Sequence, residues 1–341
     1  MNNKKTVLFL PIFTLLLSSC SASGKHYECK EYVAGTLKFK ENFRILQMTD
    51  VHLGNKDILE KHFDFMSKTI NEAHADLIVV TGDVFTFADK NTAKSVFKFF
   101  DSFDTPWTMT WGNHDEQTYY DIDWMTGYLN NYGSNCVFKD LQDDDVYGNA
   151  NFVINLTEDG TATSAVKQQL IIMDSNRYCY KAFSGYDAIH EDQVKWYEDM
   201  VNYTTAQNSG TVVPSLAFFH IPFVEFQDAY KKAKEGTDPK VKFVEGVGKA
   251  DVLNEDICSP SFNYGEGLYK SIKKLRSTKG VFVGHDHINT CCVDDDGLYL
   301  CYGIKATTRI YYDEELMGGQ VVSMDSANKI SIERYFHTYD E

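Results

Sequence analysis

The chain has 341 residues, of which 43% are hydrophobic and 14% aromatic, so it can bury a large core and is too apolar for a disordered protein. The length fits either one large α/β domain or two smaller ones. A formal net charge of -16 argues against a nucleic-acid-binding surface, which needs clustered lysine and arginine, so we expect no stable binding of nucleic acid.

The first segment of the chain has the pattern of an export signal. Two lysines precede the apolar run 7–17, which is too short to span a bilayer. The LSSC that follows resembles the bacterial lipobox, in which the cysteine at the cleavage site is lipidated. We therefore predict a lipoprotein-type signal peptide over residues 1–19, a tether over 20–40 and an exported protein anchored in the membrane through Cys20. An ordinary cleaved signal peptide and secretion are the alternative.

Beyond residue 40, apolar runs alternate with segments of helical periodicity. Strands are predicted at 43–50, 76–83 and 106–115, with helices from Ile58 and over 91–103 between them. This order implies parallel strands joined by right-handed crossovers.

Further strands and two more helices are predicted in the second half of the chain. The strands are NFVINL, QQLIIMDS, VPSLAFFH, GVFVGHDH, LYLCYG, GQVVSMD and KISIERYF. Helices are predicted near 190–201 and 266–276, whereas 221–265 and 303–319 are predicted to be loops.

The cysteines that follow Cys20 are odd in number, which leaves at least one of them unpaired or paired elsewhere. The segment CCVDDDGLYLCYG predicts a hairpin whose Asp-Gly turn places Cys292 opposite Cys301, where a cross-strand disulfide can form. Pairing of Cys258 with Cys291 or Cys292 is the alternative. The sequence has no CxxC pair, which argues against a zinc site made of thiolates.

Residues with metal-binding side chains follow the apolar strands. The first three strands end in DVH, GD and GNHD, and two later strands end at a histidine and in GHDH. The carboxyl ends of parallel strands meet at one edge of an open sheet, where such sheets bind ligands. The side chains concerned are Asp50, His52, Asp83, Asn113, His114, Asp115, His220, His285 and His287. Each motif alone is weak, because a lone histidine after a strand is more often a core or surface residue, but the joint pattern favours a metal site.

The order of these motifs resembles the signature of the calcineurin-like metallophosphoesterase superfamily: D-x-H, G-D, G-N-H-[DE], H and G-H-x-H. The resemblance covers about residues 42–325 and is closest to the single-domain branch related to purple acid phosphatases, because HIP follows the middle strand and GHDHIN and LYLCYG come later. It implies an α/β fold with a four-layer αββα sandwich, mixed sheets and parallel βαβ units, forming one domain over 41–341.

The resemblance also implies a centre of two divalent or trivalent metal ions, with manganese, zinc or iron as candidates. One metal would be held by Asp50, His52, Asp83 and His287, and the other by Asp83, Asn113, His220 and His285. A hydroxide bridging the metals is the expected nucleophile, and His114 is expected to protonate the leaving alkoxide. Asp115 is assigned to catalysis as the acceptor that orients His114, with a simple turn residue as the alternative.

One position departs from the purple acid phosphatases, which carry a tyrosine three residues after the bridging aspartate. This chain has Thr86 there, so an iron–tyrosine charge-transfer site is in doubt unless a neighbour such as Tyr119 or Tyr120 substitutes. A plain manganese, zinc or iron pair is the prediction.

The predicted function is an exported, metal-dependent phosphoesterase that hydrolyses a phosphorylated small molecule. A phosphodiesterase or nucleotidase is the alternative, in which loops 116–135, 221–265 and 303–319 select the substrate. The aromatic residues that could stack on a base there are Tyr119, Tyr120, Trp124, Phe223, Phe226 and Phe262. A surface-displayed binding protein with a structural metal site is a third hypothesis, disfavoured because a structural site does not need His114 as a general acid.

Overall fold

The computed structural model describes residues 27–133, 135–141, 145–178, 185–248 and 267–339. The strands are β1 (Val33–Lys38), β2 (Ile45–Met48), β3 (Leu77–Thr81), β4 (Trp107–Thr110), β5 (Phe152–Thr157), β6 (Val166–Ile172), β7 (Ser215–Phe218), β8 (Val241–Glu245), β9 (Thr278–Val283), β10 (Cys292–Asp295), β11 (Leu298–Tyr302), β12 (Gly318–Met324) and β13 (Ile330–Phe336). The helices are α1 (Leu59–Ala73), α2 (Lys90–Asp101), α3 (Ile122–Leu129), α4 (Glu191–Gln207), α5 (Glu225–Glu235) and α6 (Gly267–Leu275), preceded by a short 3-10 helix at Cys29–Tyr32.

The smaller sheet contains the first strand–helix–strand–helix–strand unit. Its strand order is β13-β12-β2-β3-β4, and β2, β3 and β4 run parallel, which confirms the predicted unit. Strands β12 and β13 complete the sheet in antiparallel orientation. Every residue of β2, β3 and β4 is buried, because helices and the second sheet cover both faces, and this explains the continuous apolar run of β3.

The larger sheet has eight strands in the order β1-β5-β6-β7-β9-β11-β10-β8. Strands β6, β7, β9 and β11 run parallel, and β10 and β11 form the predicted antiparallel hairpin. Cys292 lies directly opposite Cys301 in this hairpin, with their Cα atoms 4.1 Å apart, and the two form a disulfide. The predicted cross-strand bridge is therefore confirmed, while Cys258 lies outside the described residues.

The two sheets pack face to face between layers of helices. Ile154 and Phe218 of the larger sheet lie in one apolar core with Val79 of the smaller sheet. Because side chains alternate along a strand, neighbouring Val153 points away from this core and packs in a second one with Trp196 of α4. Helices α5 and α6 also pack in that second core, and α1 covers β12 and β13. The predicted four-layer αββα sandwich is therefore confirmed.

The structured chain begins before the predicted domain start at residue 41. Strand β1 lies inside the predicted tether 20–40, yet it pairs in parallel with β5, and Tyr27 and Tyr32 before it are buried. Its short, half-exposed sequence VAGTLK lacks the apolar run by which the other strands were predicted. The predicted signal peptide and Cys20 lie outside the described residues. No helix within the described ranges is long and apolar enough to cross a bilayer.

Two segments predicted to be loops contain regular structure. Segment 221–265 holds α5, whose exposed face is strongly charged, and β8, an edge strand with mostly exposed side chains. Helix α3 lies within 116–135. Edge and surface elements bury few side chains, so their apolar periodicity is weak.

Candidate metal centre

The predicted ligands converge where strands of both sheets end. Asp50, Asp83 and Asn113 follow β2, β3 and β4 of the smaller sheet, while His220 and His285 follow β7 and β9 of the larger sheet. All of these side chains are buried, as are His52 and His287. Parallel strands ending at one edge thus bring together residues that are far apart in the sequence.

The first cluster consists of Asp50, His52, Asp83 and His287, whose potential ligand atoms all lie within 4.8 Å of one another. His52 Nε2 lies 3.0 Å from His287 Nε2 and 3.5 Å from Asp83 Oδ2. His287 Nε2 lies 3.2 Å from Asp50 Oδ1. Imidazole nitrogens and carboxylate oxygens therefore point at a common centre.

The second cluster consists of Asp83, His220 and His285, so Asp83 belongs to both clusters. His220 Nε2 lies 3.2 Å from Asp83 Oδ2. Asn113 is adjacent, because the backbone N–H of the next residue, His114, donates to Asp83 Oδ1 at 2.7 Å. The Asn113 amide nitrogen donates to the Tyr178 hydroxyl at 2.8 Å, which fixes the orientation of the amide.

Several of these buried ligand atoms lack a hydrogen-bond partner outside the site. Among the described residues, Asn113 Oδ1 and His285 Nε2 have no partner, while Asp50 Oδ1 and His220 Nε2 contact only another proposed ligand, each at 3.2 Å. An unsatisfied buried polar atom costs about 1–3 kcal/mol, so this arrangement is unfavourable unless something binds these atoms. Oxygen and imidazole nitrogen suit manganese, zinc and iron ions. The residues present therefore fit a pair of metal ions.

Three of the histidines present the same ring nitrogen to the clusters. His220 and His287 each have Nδ1 2.8 Å from a backbone carbonyl oxygen, and His52 has Nδ1 2.8 Å from Thr86 Oγ1. With the proton on Nδ1, each Nε2 keeps its lone pair for a metal. The role of Thr86 was not predicted, since only the fold places its hydroxyl behind His52.

The backbone of the site is held in an uncommon conformation. Asp50, His52, Asp83 and His285 have φ values of 54°, 52°, 50° and 78°, in the left-handed region that side chains other than glycine rarely adopt. Each such residue costs about 1–3 kcal/mol and persists only where the surrounding structure imposes it. The fold therefore gives up some conformational stability to hold these side chains in position.

Glycines in the GD and GNHD motifs allow the close approach of the strands. A Cβ atom at Gly82 would lie 2.7 Å from the His220 ring, and one at Gly112 would overlap Asp83. Any larger residue would push these ligands apart. Gly82 also has a φ of 80°, which favours glycine in its own right.

The protonation states of most ligands already suit metal binding. Burial alone would raise the pKa of Asp83, but the nearby His220, His114 and His52 lower it far below its usual range. Burial lowers the pKa of His285 to about 3, so this imidazole is neutral. His220 differs, because Asp83 outweighs burial and raises its pKa to about 9. A metal ion binding at His220 therefore displaces a proton.

His114 differs from the ligands in being partly exposed. Its ring centroid lies 4.9 Å from that of His52, and its Nδ1 lies 2.8 Å from Gln117 Oε1. It therefore borders the clusters without belonging to either. Gln117 was not predicted, although it lies only three residues further along the chain.

The structure corrects the orienting role predicted for Asp115. Its two carboxylate oxygens accept the backbone N–H groups of Phe85 and Gly112, each at 2.8 Å, and Gln117 is the residue that contacts the His114 ring. Asp115 thus joins the loop after β3 to the loop after β4. Burial, together with the charge of Asp83, raises its pKa to about 8.

Most of the aromatic residues considered for base stacking pack elsewhere. Phe223 and Phe226 are buried in the core under the larger sheet, and Tyr120 packs on Trp124 with ring centroids 4.8 Å apart. Tyr119 is 71% exposed. Phe262 lies outside the described residues.

Other tyrosines border the metal clusters instead. The Tyr186 ring lies edge-on to His285 at 4.3 Å, and Tyr311 stacks on His287 at 4.1 Å. With Tyr178 against Asn113, they form an aromatic wall around the ligands. The purple acid phosphatase pattern places its tyrosine three residues after the bridging aspartate, which is Thr86 in this chain. That pattern therefore did not indicate these tyrosines.

Comparisons with known proteins agree with this architecture. "Probable inactive purple acid phosphatase 29" from Arabidopsis thaliana is 28% identical over 326 residues, covering 87% of this chain and 78% of the relative. "Phosphatase DCR2" from Saccharomyces cerevisiae is 28% identical over 291 residues, covering 76% of this chain and 47% of the relative. The crystal structure of a dimetal phosphatase from Danio rerio superposes with a TM-score of 0.50 at 13% identity, covering 88% of this chain and 100% of that chain, which supports the fold alone.

The family model described as "Calcineurin-like phosphoesterase" matches residues 43–289. This range is more than half of the chain and includes every residue of the two clusters. The protein therefore belongs to the calcineurin-like phosphoesterase family.

Proposed function

We propose that this protein is an exported, lipid-anchored, metal-dependent phosphoesterase that hydrolyses phosphate esters of small molecules. The observation that carries the proposal is the pair of buried clusters that share Asp83 and contain unpartnered ligand atoms. One metal ion would be held by Asp50, His52, Asp83 and His287, and the other by Asp83, Asn113, His220 and His285. The export and the anchor rest on the sequence around Cys20 alone.

The charge of the clusters explains how so acidic a protein can bind phosphate. Asp50 and Asp83 are the carboxylates among the proposed ligands, while Asn113 and the histidines bind as neutral groups. Two divalent ions would therefore leave a net positive charge at the site, which attracts a phosphate dianion. When bound, such a metal pair activates water as a nucleophile and stabilises the entering and leaving oxygens of an in-line displacement.

His114 is the proposed proton donor to the leaving group. Its backbone N–H is anchored on Asp83, and its partly exposed ring lies beside the clusters, so it can face a substrate bound there. Gln117 Oε1 accepts from Nδ1 and so keeps Nε2 available for proton transfer. An alkoxide leaving group gains most from this donor, because it is a strong base.

The residues proposed for catalysis are present in this chain, although three of its relatives carry the word "inactive" in their names. Both ligand sets are complete, and His114 is in place beside them. A purely structural metal site would not require a proton donor at its border. We therefore propose an active enzyme and not a metal-stabilised binding protein.

The test is a screen of phosphomonoesters, phosphodiesters and nucleotides against protein reconstituted separately with manganese, zinc and iron. We expect ester hydrolysis that is lost on chelation and restored by adding metal. Asp83→Asn should abolish activity, while the same substitution at the exposed Asp64 on α1 is the control. Bound metal without turnover of any ester would contradict the proposal and favour a structural site, and full activity without metal would contradict the metal mechanism.

A further inference from the structure

A polar cavity of about 340 Å³ lies next to the proposed metal centre. It is lined by Glu116, Tyr147, Gly148, Asn149, Asn176, Arg177, Tyr178 and Asp187. Two of these residues connect it to the site: the Tyr178 hydroxyl accepts from Asn113 Nδ2 at 2.8 Å, and Glu116 lies two residues after His114. The cavity thus adjoins the proposed site at Asn113, next to the residue proposed as the proton donor.

Arg177 supplies hydrogen-bond donors to this cavity. Its Nη2 donates to Asn149 Oδ1 at 2.5 Å, which holds the guanidinium in place. Its Nη1 lies 3.7 Å from Glu116 Oε1, too far for a good hydrogen bond, so the protein does not fully use this donor. A ligand oxygen in the cavity would satisfy it.

Carboxylates supply acceptors close to these donors. Glu116 is 46% exposed and paired only loosely with Arg177, so its oxygens can accept from a ligand. Asp187 adds negative charge to the cavity, but its Oδ1 already accepts from the Ala188 N–H at 2.8 Å and both of its oxygens lie 3.1 Å from His190 Nε2. The Tyr147 ring stacks on His190 at 3.7 Å and stays half exposed, giving the cavity a flat aromatic side.

The hydrogen-bond donors and carboxylates of the cavity together disfavour charged and apolar leaving groups. A second phosphate or a carboxylate would be repelled by Glu116 and Asp187, and an apolar group would displace water from the Arg177 guanidinium and the Glu116 carboxylate without replacing its hydrogen bonds. A hydroxyl group donates and accepts at once, so several hydroxyls satisfy both the guanidinium and the carboxylates. We infer that the cavity binds the leaving group of the substrate and selects an uncharged, hydroxylated one, so that the substrate class is the phosphate monoester of a polyol or sugar.

This inference rests on the proposed function, and its test follows the ratio of kcat/KM for two esters in the wild type and in variants of the cavity. Glycerol 1-phosphate and n-propyl phosphate share a three-carbon chain but differ in their hydroxyls. We expect kcat/KM of the metal-loaded enzyme to be about 10- to 100-fold higher for glycerol 1-phosphate, the range for hydrogen bonds to charged groups. Arg177→Met and Glu116→Gln should each bring this ratio toward one.

The control is Arg276→Met, because Arg276 is exposed and precedes β9, at the end of the strand opposite to the metal clusters. It should leave the ratio unchanged. Glu116→Gln changes an exposed side chain, so its result does not depend on whether Arg177→Met folds. Melting temperatures of all variants identify any that are destabilised.

The possible failures are distinct. If neither ester is hydrolysed and the wider screen also fails, the proposed function is wrong and this inference falls with it. If both esters are hydrolysed with equal kcat/KM, the proposed function stands and the inference about the cavity is overturned. A preference for a substrate with a second phosphate, such as glycerol 1,3-bisphosphate, would also overturn it.

Discussion

Replacing Thr86 by valine should weaken metal binding without touching a metal ligand. Thr86 is buried, and its Oγ1 lies 2.8 Å from His52 Nδ1. In the tautomer that binds a metal through Nε2, Nδ1 carries the proton and donates to Thr86 Oγ1, while Nε2 faces His287 and Asp83. Valine has nearly the shape of threonine, so the substitution removes this hydrogen bond and little else.

Two estimates of the effect agree. A buried N–H that loses its only acceptor costs about 1–3 kcal/mol, and loss of a partner behind a metal-binding histidine costs about 10- to 100-fold in affinity. That factor corresponds to about 1.4–2.8 kcal/mol. We therefore expect the dissociation constant of one metal ion to rise about 10- to 100-fold in Thr86→Val.

Competition against a chromophoric chelator, starting from metal-stripped protein, measures this constant directly. Thr86→Ser keeps the hydroxyl and should restore most of the affinity. Thr108→Val is the matched control, because Thr108 is equally buried but its Oγ1 has no hydrogen-bond partner. If Thr86→Val binds both equivalents as tightly as the wild type, Thr86 does not orient His52 and this reasoning is wrong.

Four further predictions follow from the proposed site and its supports. Purified protein should contain close to two metal equivalents by elemental analysis, and fewer than one would contradict the dinuclear assignment. His114→Asn should keep this metal and lower kcat on alkyl phosphates by about 100- to 10,000-fold, with a smaller loss on p-nitrophenyl phosphate; equal losses would indicate positioning and not proton donation. Asp115→Ala removes an acceptor of two backbone hydrogen bonds and should lower the free energy of unfolding by about 2–4 kcal/mol in a denaturant titration, whereas unchanged stability would argue against its role in joining the loops. Cys20→Ala should release the protein from the membrane fraction or stall its processing, and an unmodified mature N-terminus downstream of Cys20 in mass spectrometry would reject the anchor.

The sequence predicted those parts of the molecule whose pattern is local. Strands β2, β3 and β4 are buried on both faces and rich in apolar residues, so the parallel unit could be inferred. Polar residues directly after such strands predicted which side chains meet at the sheet edge, and the structure brings Asp50, Asp83 and His220 together there. The Cys292–Cys301 pair followed from a turn signal between two short strands.

What the sequence did not predict depends on contacts between distant segments. The orientation of Asn113 is fixed by Tyr178, and that of His114 by Gln117 and not by its neighbour Asp115. Sequence proximity suggested Asp115 as the partner of His114, but its carboxylate turns inward to two backbone amides. Strand β1 was missed for a different reason: it lies at a sheet edge and carries too few buried apolar residues to give a pattern.

The segment 303–319, which was expected to help select the substrate, also supports the first cluster. Lys305 Nζ donates to the carbonyl oxygen of Asp50 at 2.8 Å, and Thr307 Oγ1 donates to that of Val51 at 2.7 Å. The carbonyl oxygen of Tyr311 accepts from His287 Nδ1 at 2.8 Å. This segment therefore holds the backbone and one imidazole of the first cluster from outside.

These contacts account for the strained backbone at the first cluster. The left-handed conformations of Asp50 and His52 cost about 1–3 kcal/mol each, and each buried hydrogen bond from the segment 303–319 offsets about 1 kcal/mol of that cost. Lys305 is itself fully buried, and burial lowers its pKa to about 7, so the protein also bears the cost of desolvating an amine to place this donor. Because the fold bears these free-energy costs, the ligand positions are fixed before any metal binds. The fold, and not the metal ions, therefore determines the geometry of the site. A site built in this way can hold a pair of metal ions in one arrangement.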